Sequence, residues 1–291
     1  MAVAEKAPKM IDVKAAEAPW WRRWLPLLGV AVIVIYCLAP FYWMVVSALR
    51  RPTDQFDNSI IPKVWSITNF TDVFKPGTGF GRALLNSLFV AGTVTILTLI
   101  VGMVAAYTLA RLEFRFKNFV LAIIITTSMF PGISLVIPLK KLFSDIEWIN
   151  TYQAMIVPSL SFALPLAVWN LTAFFRQMPR ELEQAAMVDG CTPAQAFRKV
   201  ILPLAAPGVF TTAIITFIAA WNEYLIALSM VNKKSIQTAN VVITGFTGTS
   251  GRDQPFGSQM AAGVVVTIPL VIAVLIFQRR IVAGLTAGGV K

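Results

Sequence analysis

One carboxylate stands out for the chemistry it could do: Glu223, flanked by Trp221, Asn222 and Tyr224 inside an otherwise apolar run. A charged group at membrane depth is costly, so such a residue serves a solute or proton path, or ties its helix to a neighbour. Asn170, in the preceding apolar run, is a second polar candidate for a translocation path. A proton-coupled secondary transporter is the alternative these residues raise, but it needs a relay of acids and ideally inverted repeats. Only Glu223 is so placed, and no repeat is apparent. With no histidine and no carboxylates at ligand spacing, zinc, haem and His-based triads lose their ligands or base. Gly77, Gly79 and Gly81 in PGTGFGR lack the Lys-Ser/Thr ending of a phosphate loop and read as turn formers before a helix. No enzyme and no metal or cofactor bound by this chain is expected. Cys37 and Cys191 lie in an apolar run and a polar insert, at different depths, and imply no disulfide.

The elements that position these residues are membrane spans. Hydrophobic residues make up 57% of the chain and charged residues 13%, outside the range of a soluble domain. The net charge of +11 comes from short Lys and Arg clusters between apolar runs, which fits positive-inside topology and not nucleic-acid binding. Residues 1–24 form an N-terminal tail ending in a Trp and Arg belt. Residues 25–49 are long enough to cross ~30 Å of hydrocarbon at 1.5 Å per residue and read as a retained first helix. A turn-rich loop over 50–82 precedes a core over 83–278. Its spans fall at 83–110, with Gly92, Gly102 and Ala106 as small packing residues, then 118–139, 151–175, 204–231 and 259–277. Pro131 and Gly132 break the third span, and Pro158 and Pro165 the fourth. Lys140, Lys141, Asp145 and Glu147 mark a solvated loop between them. An outer loop over 232–258 turns glycine-rich and non-helical in its second half, and a tail over 279–291 reads as an extended or flexible strap. Placing both termini in the cytoplasm puts Arg22, Arg23, Arg111, Arg115, Lys117, Arg176, Arg180, Arg279 and Arg280 inside. The expected fold is an all-α integral membrane protein with six transmembrane helices.

The loop over 176–203 is organised for more than connection. Pro179 suits a first helical turn, Glu181 and Glu183 complement its positive end, and Gly190 is placed to end it with positive φ. Leu182, Ala185, Ala186 and Val188 supply an apolar stripe with small members that a groove on another protein could approach. Thr192, Pro193 and Gln195 read as N-cap, first residue and capping-box partner of a second helix. A helix-Gly-helix elbow results, and force on it would move the fourth and fifth spans.

QAAMVDG followed by VILP resembles the EAA signature of ABC-importer permeases, in which Glu-Ala-Ala precedes Gly by three residues and Ile-x-Leu-Pro follows nine residues later. Ala185, Ala186, Gly190, Leu202 and Pro203 match; Gln184 stands where the family has Glu, and Val200 where it has Ile. NSLFVA, WNEY and the ending GLTAGGVK are similar to the G-type permease of maltose-like carbohydrate importers. The resemblance implies a type I ABC importer permease fold in a bacterial inner membrane. Its expected partners are a second homologous permease, a dimeric cytoplasmic ATPase holding ATP and Mg, a solute-binding protein and membrane lipid. It further implies that Glu183, Gln184, Ala185, Ala186, Asp189 and Gly190 meet the ATPase. The strap residues Gly284, Leu285, Thr286, Gly288 and Gly289 would reach between the ATPase subunits. Gly248, Thr249, Ser250 and Gly251 would contact the binding protein. A disaccharide such as trehalose or maltose is the implied cargo.

Overall fold

A computed structural model of the chain describes residues 20–246 and 255–287, and secondary structure there is helical throughout. Helix α1, Trp20–Ala48, is followed by a 3-10 turn at Pro52–Asp54 and short α2, Thr68–Val73. Next come α3, Phe80–Arg111, then α4, Lys117–Ser128, α5, Gly132–Asp145, and α6, Gln153–Gln177. The insert contains α7, Glu181–Val188, α8, Pro193–Ala196, a π-helical turn at Phe197–Ile201 and α9, Leu202–Leu204. The remainder is α10, Ala206–Trp221, α11, Leu225–Met230, α12, Ala239–Thr244, and α13, Phe256–Ala287.

Four helices are long and apolar enough to cross a membrane unbroken, over Trp24–Ala48, Phe80–Arg111, Gln153–Gln177 and Phe256–Gln278. Two bent pairs add the rest: α4 with α5, at 87°, and Pro193–Leu204 with α10, at 74°. Counting each pair as one crossing gives six. The first bend falls at Met129–Pro131, because Pro131 has no N–H to donate and disfavours helix in the residue before it. The helix resumes at Gly132 and runs on to Asp145, so Lys140 and Lys141 belong to α5 and not to a loop. Pro158 and Pro165, by contrast, do not break the fourth span. Both are buried in a continuous α6, which packs against α3 and α10.

α3 and α6 form the central pair. The buried positions of α3, among them Val90, Val94, Thr98, Gly102, Ala106 and Ala110, recur every three or four residues and define one face. A Cβ on Gly102 would sit 3.7 Å from Ala167 and Leu171, so the small-xxx-small pair with Ala106 does face a neighbouring helix. Gly92 has open space around it within this chain and makes no such contact. α1 packs mainly on α13, while α4 buries none of its residues within the chain.

The segment that follows α1 folds back onto its end. Buried Arg50 donates to the carbonyls of Asp57 and Ser59 and lies over the Trp43 ring, 4.9 Å from its centroid. Buried Asn69 donates to the carbonyls of Ala48 and Arg50 at 2.9 and 2.8 Å. Gly77 and Gly79 turn the chain with φ of 97° and 70°, but Gly81 lies inside α3 and is no turn former. The expected outer loop over 232–258 holds α12, and α13 starts at Phe256. At the other end α13 continues to Ala287, so Gly284, Leu285 and Thr286 are helical where an extended strap was expected. One helical glycine costs only about 1 kcal/mol against alanine, and the surrounding Ile, Val, Ala and Leu residues all accept helix.

Candidate functional site: the elbow between the fourth and fifth spans

The punctuation residues of the elbow form local motifs. Gly190 takes φ 89°, the Gly190 N–H donates to Met187 O at 3.0 Å, and the Cys191 N–H donates to Ala186 O at 3.0 Å. This Schellman arrangement satisfies carbonyls that the end of α7 would otherwise leave free. Thr192 and Gln195 then make the expected capping box: Thr192 N–H donates to Gln195 Oε1 at 2.9 Å, and Gln195 N–H to Thr192 Oγ1 at 3.3 Å. Asp189–Thr192 joins α7 to α8, which leads into the π-helical turn ending at the fully buried Ile201.

The predicted ATPase-contact residues divide between two faces. Gln184, Ala185, Asp189 and Gly190 are exposed, beside Leu182, Met187 and Val188, the last 88% exposed. Ala186 is 6% exposed and turned into the chain, so the open stripe contains Leu182, Ala185 and Val188 but not Ala186. Glu183 also faces inward. Its carboxylate accepts from the Tyr107 hydroxyl and pairs with Arg111 Nε at 3.5 Å, in a contact where the two charged side chains are only 15% and 5% exposed. Arg111 Nη1 donates to Met178 O at 3.1 Å. Outside this pair, Arg180 Nη2 meets Glu113 Oε1 at 2.6 Å, and Lys117 Nζ lies 3.8 Å from the same oxygen. The Arg180 hydrogen bond, helped by the charge of Lys117, holds the Glu113 carboxyl below its usual range. A depressed carboxyl supports this pairing above the ordinary carboxylate pKa and loses it only as pH falls through the lowered value.

Beneath the elbow lies an aromatic seat. Tyr107 from α3 is 4.5 Å from Phe197 and 6.0 Å from Phe175 between ring centroids, and Phe175 is 6.2 Å from Phe197. Ala106, Ala110, Leu171, Ile201 and Ala205 complete this core. Tyr107, Arg111 and Glu113 were not among the predicted site residues. Their signal was present: Tyr107 and Arg111 are four apart, hence on one helix face, at the polar end of an apolar span.

The expected path residues do not form one surface. Trp221 is buried within the chain, with its ring stacked on Phe217 at 5.7 Å. Asn170 donates to Thr212 Oγ1 at 2.8 Å and joins α6 to α10. Glu223 lies at the break between α10 and α11, where Oε1 accepts from Ile226 N–H at 2.7 Å and Oε2 from Ala227 N–H at 3.0 Å. It thus caps the positive end of α11. Asn222 is exposed, and Tyr224 donates weakly to Thr244 Oγ1 at 3.4 Å. Lys140, Lys141 and Asp145, expected in a loop, instead line a groove of about 520 Å³ with Ser144 and with Ser229 of α11.

The capping role makes a prediction. Glu223→Ala should lower the stability of the detergent-solubilised protein by about 0.5–2 kcal/mol, the usual worth of a helix cap. Glu223→Gln, which keeps one acceptor, should lose less and leave the pH profile of uptake unchanged. Thermal unfolding and uptake across pH check both.

Gly248, Thr249, Ser250 and Gly251, with Gly288 and Gly289, lie outside the described residues. Among the described residues, no group of His, Cys, Asp and Glu is arranged to hold a metal ion.

Comparison with known proteins gives consistent matches. Residues 83–286 match the family described as "Binding-protein-dependent transport system inner membrane component". The chain is 46% identical over 260 residues to the trehalose transport system permease protein SugB of Mycobacterium tuberculosis, covering 89% of this chain and 94% of that protein. It is 39% identical over 271 residues to the trehalose/maltose transport system permease protein MalG of Thermococcus litoralis, covering 93% and 97%. A chain of a bacterial ABC transporter involved in import of the acidic polysaccharide alginate shares the fold, with a TM-score of 0.76 at 17% identity over 90% of this chain and 98% of that one. The fold, the apolar spans and these matches converge: the chain belongs to the binding-protein-dependent inner membrane component family, and is a multi-pass ABC-importer permease subunit that is not itself an enzyme.

Proposed function

We propose that this permease serves an ATP-driven importer of a disaccharide of the trehalose or maltose class. It forms the translocation path with a second, homologous permease, and the exposed face of α7 seats in a dimeric ATPase that holds ATP and Mg. The observation that supports this most is the division of the elbow. Its small and apolar members Leu182, Ala185, Val188 and Gly190 face outward, while Glu183 and Ala186 fasten it to the spans. A surface of that shape suits a groove, and the names of the two sugar permeases quoted above supply the cargo. The residues at 248–251 are assigned to a solute-binding protein on the opposite side, and those beyond Arg280 to the ATPase side.

ATP binding drives the change only if it favours one orientation of the spans over the other. The elbow is the part of this chain through which that preference enters. In proteoliposomes holding the full complex, trehalose uptake should require ATP inside and the binding protein outside. Uptake that collapses with a protonophore and persists without ATP would establish the proton-coupled alternative instead.

A further inference from the structure

Covalently, the elbow is joined to two spans, α6 and α10. The structure adds a third connection, to α3, made by side chains. Tyr107 and Arg111 hold the Glu183 carboxylate from below, and Arg111 also grips Met178 O, so one guanidinium contacts both the last turn of α6 and the first turn of α7. Glu113, just past the end of α3, holds Arg180 between them. A rotation of α7 relative to α6 therefore disturbs α3 as well.

The opposite end of α3 is fastened in the same manner. Asn86 Nδ2 donates to Ser235 O at 3.1 Å and to Gln237 O at 2.9 Å, and its Oδ1 accepts from the Tyr152 hydroxyl at 2.8 Å. The neighbouring Ser87 Oγ accepts from Ala239 N–H at 2.9 Å. These bonds fix the segment between α11 and α12, on the far side of the spans from the elbow. The same segment is pinned from the α5–α6 turn, where Asn150 Oδ1 accepts from Asn232 N–H at 2.7 Å and Lys233 N–H at 2.9 Å. Asn86 and Tyr107 are both on α3 and about 32 Å apart along its axis. Between them α3 has no proline and no break.

We infer that α3 is a transmission rod: Tyr107, Arg111 and Glu183 key its inner end to the elbow, and Asn86 and Ser87 key its outer end to residues 235–239. Motion imposed at the elbow then reaches the outer segment through one rigid helix. Of the two spans joined covalently to the elbow, α10 is followed by an interruption at Asn222–Tyr224 before the chain reaches that segment, and α6 meets it through the α5–α6 turn at Asn232 and Lys233, whereas α3 holds residues 235–239 directly. These are positioning residues and touch no cargo. The inference rests on the proposed ATPase coupling, which the experiment tests separately.

Tyr107→Phe keeps the ring against Phe197 and Phe175 and removes only the hydroxyl; Asn86→Leu removes the outer bonds at similar volume. In the assembled complex, each single variant should co-purify with the ATPase as the parent chain does. Each should lower binding-protein-stimulated ATP turnover on the order of 5- to 150-fold, the usual size of coupling between distant sites. Basal ATP hydrolysis should persist. The double variant should be no worse than the poorer single variant, because a rod cut once transmits nothing. Multiplying losses in the double variant, unchanged stimulation in both singles, or loss of assembly in parallel with turnover would each overturn the inference. Failure of the parent chain to bind the ATPase would instead overturn the functional proposal.

Discussion

Gly190→Val is expected to abolish ATP-driven uptake while leaving the protein inserted at normal levels. At φ 89° the glycine occupies a backbone region that a β-branched residue enters at a cost of about 1–2 kcal/mol. Nothing lies within 4 Å of a Cβ placed there, so crowding adds nothing within this chain and the whole effect is conformational. To relieve the strain, the chain must give up the two bonds from Gly190 and Cys191 to the end of α7, and the angle between α7 and α8 changes with them. The exposed face of α7 then no longer presents Ala185 and Val188 in one orientation. Gly190→Asn, which tolerates positive φ better than valine does, should retain a measurable fraction of uptake. Equal loss in both variants would mean that size at the partner surface matters, and not the turn.

Gly208→Val should be the most destabilising single substitution near the elbow. A Cβ at this position would fall 2.4 Å from Cγ of Phe174, with the two Cδ atoms at 2.5 and 2.8 Å. The atom struck is the root of the ring and not a flexible tip, so α6 and α10 must separate or Phe174 must leave its place against the core beneath the elbow. Overpacking of this kind costs about 1–3 kcal/mol, and it acts on the two spans that the elbow joins. A lower thermal midpoint in detergent is expected, together with reduced uptake. In a Phe174→Ala background, adding Gly208→Ala should cost little or no further stability; the same loss as in the parent chain would place the strain elsewhere.

The elbow was legible in the sequence because its signals are local. Gly190, Thr192 and Gln195 act on backbone groups within a few residues, and each does what its chemistry requires; Pro179, expected in the first turn, instead precedes α7, which starts at Glu181 after the N-cap Arg180. The break at Pro131 is legible for the same reason. Pro158 and Pro165 show the limit of the rule, since tertiary packing decides whether a proline interrupts a buried helix. Glu223 was recognised as unusual, and its capping of Ile226 and Ala227 is itself local. The sequence leaves a path role and a structural tie open for it, and the helix restart that it caps shows only once the break after Trp221 is placed. The clamp was hidden for a different reason: Tyr107 and Glu183 are 76 residues apart, and no local pattern joins them. Which face of α7 is open was equally hidden, because an apolar stripe does not say whether it meets the chain's own spans or another protein.

The elbow's seating on an ATPase is tested most directly by crosslinking from Val188. In a chain carrying Cys37→Ala and Cys191→Ala, Val188→Cys places a single thiol at an open position of α7. The complex, assembled with ATPase subunits bearing surface thiols, is treated with a short bis-maleimide, and crosslinked pairs are identified by mass spectrometry. We expect a permease-ATPase adduct whose yield changes when ATP and Mg are added. A complex that still imports sugar but gives no such adduct, with or without nucleotide, would contradict the account.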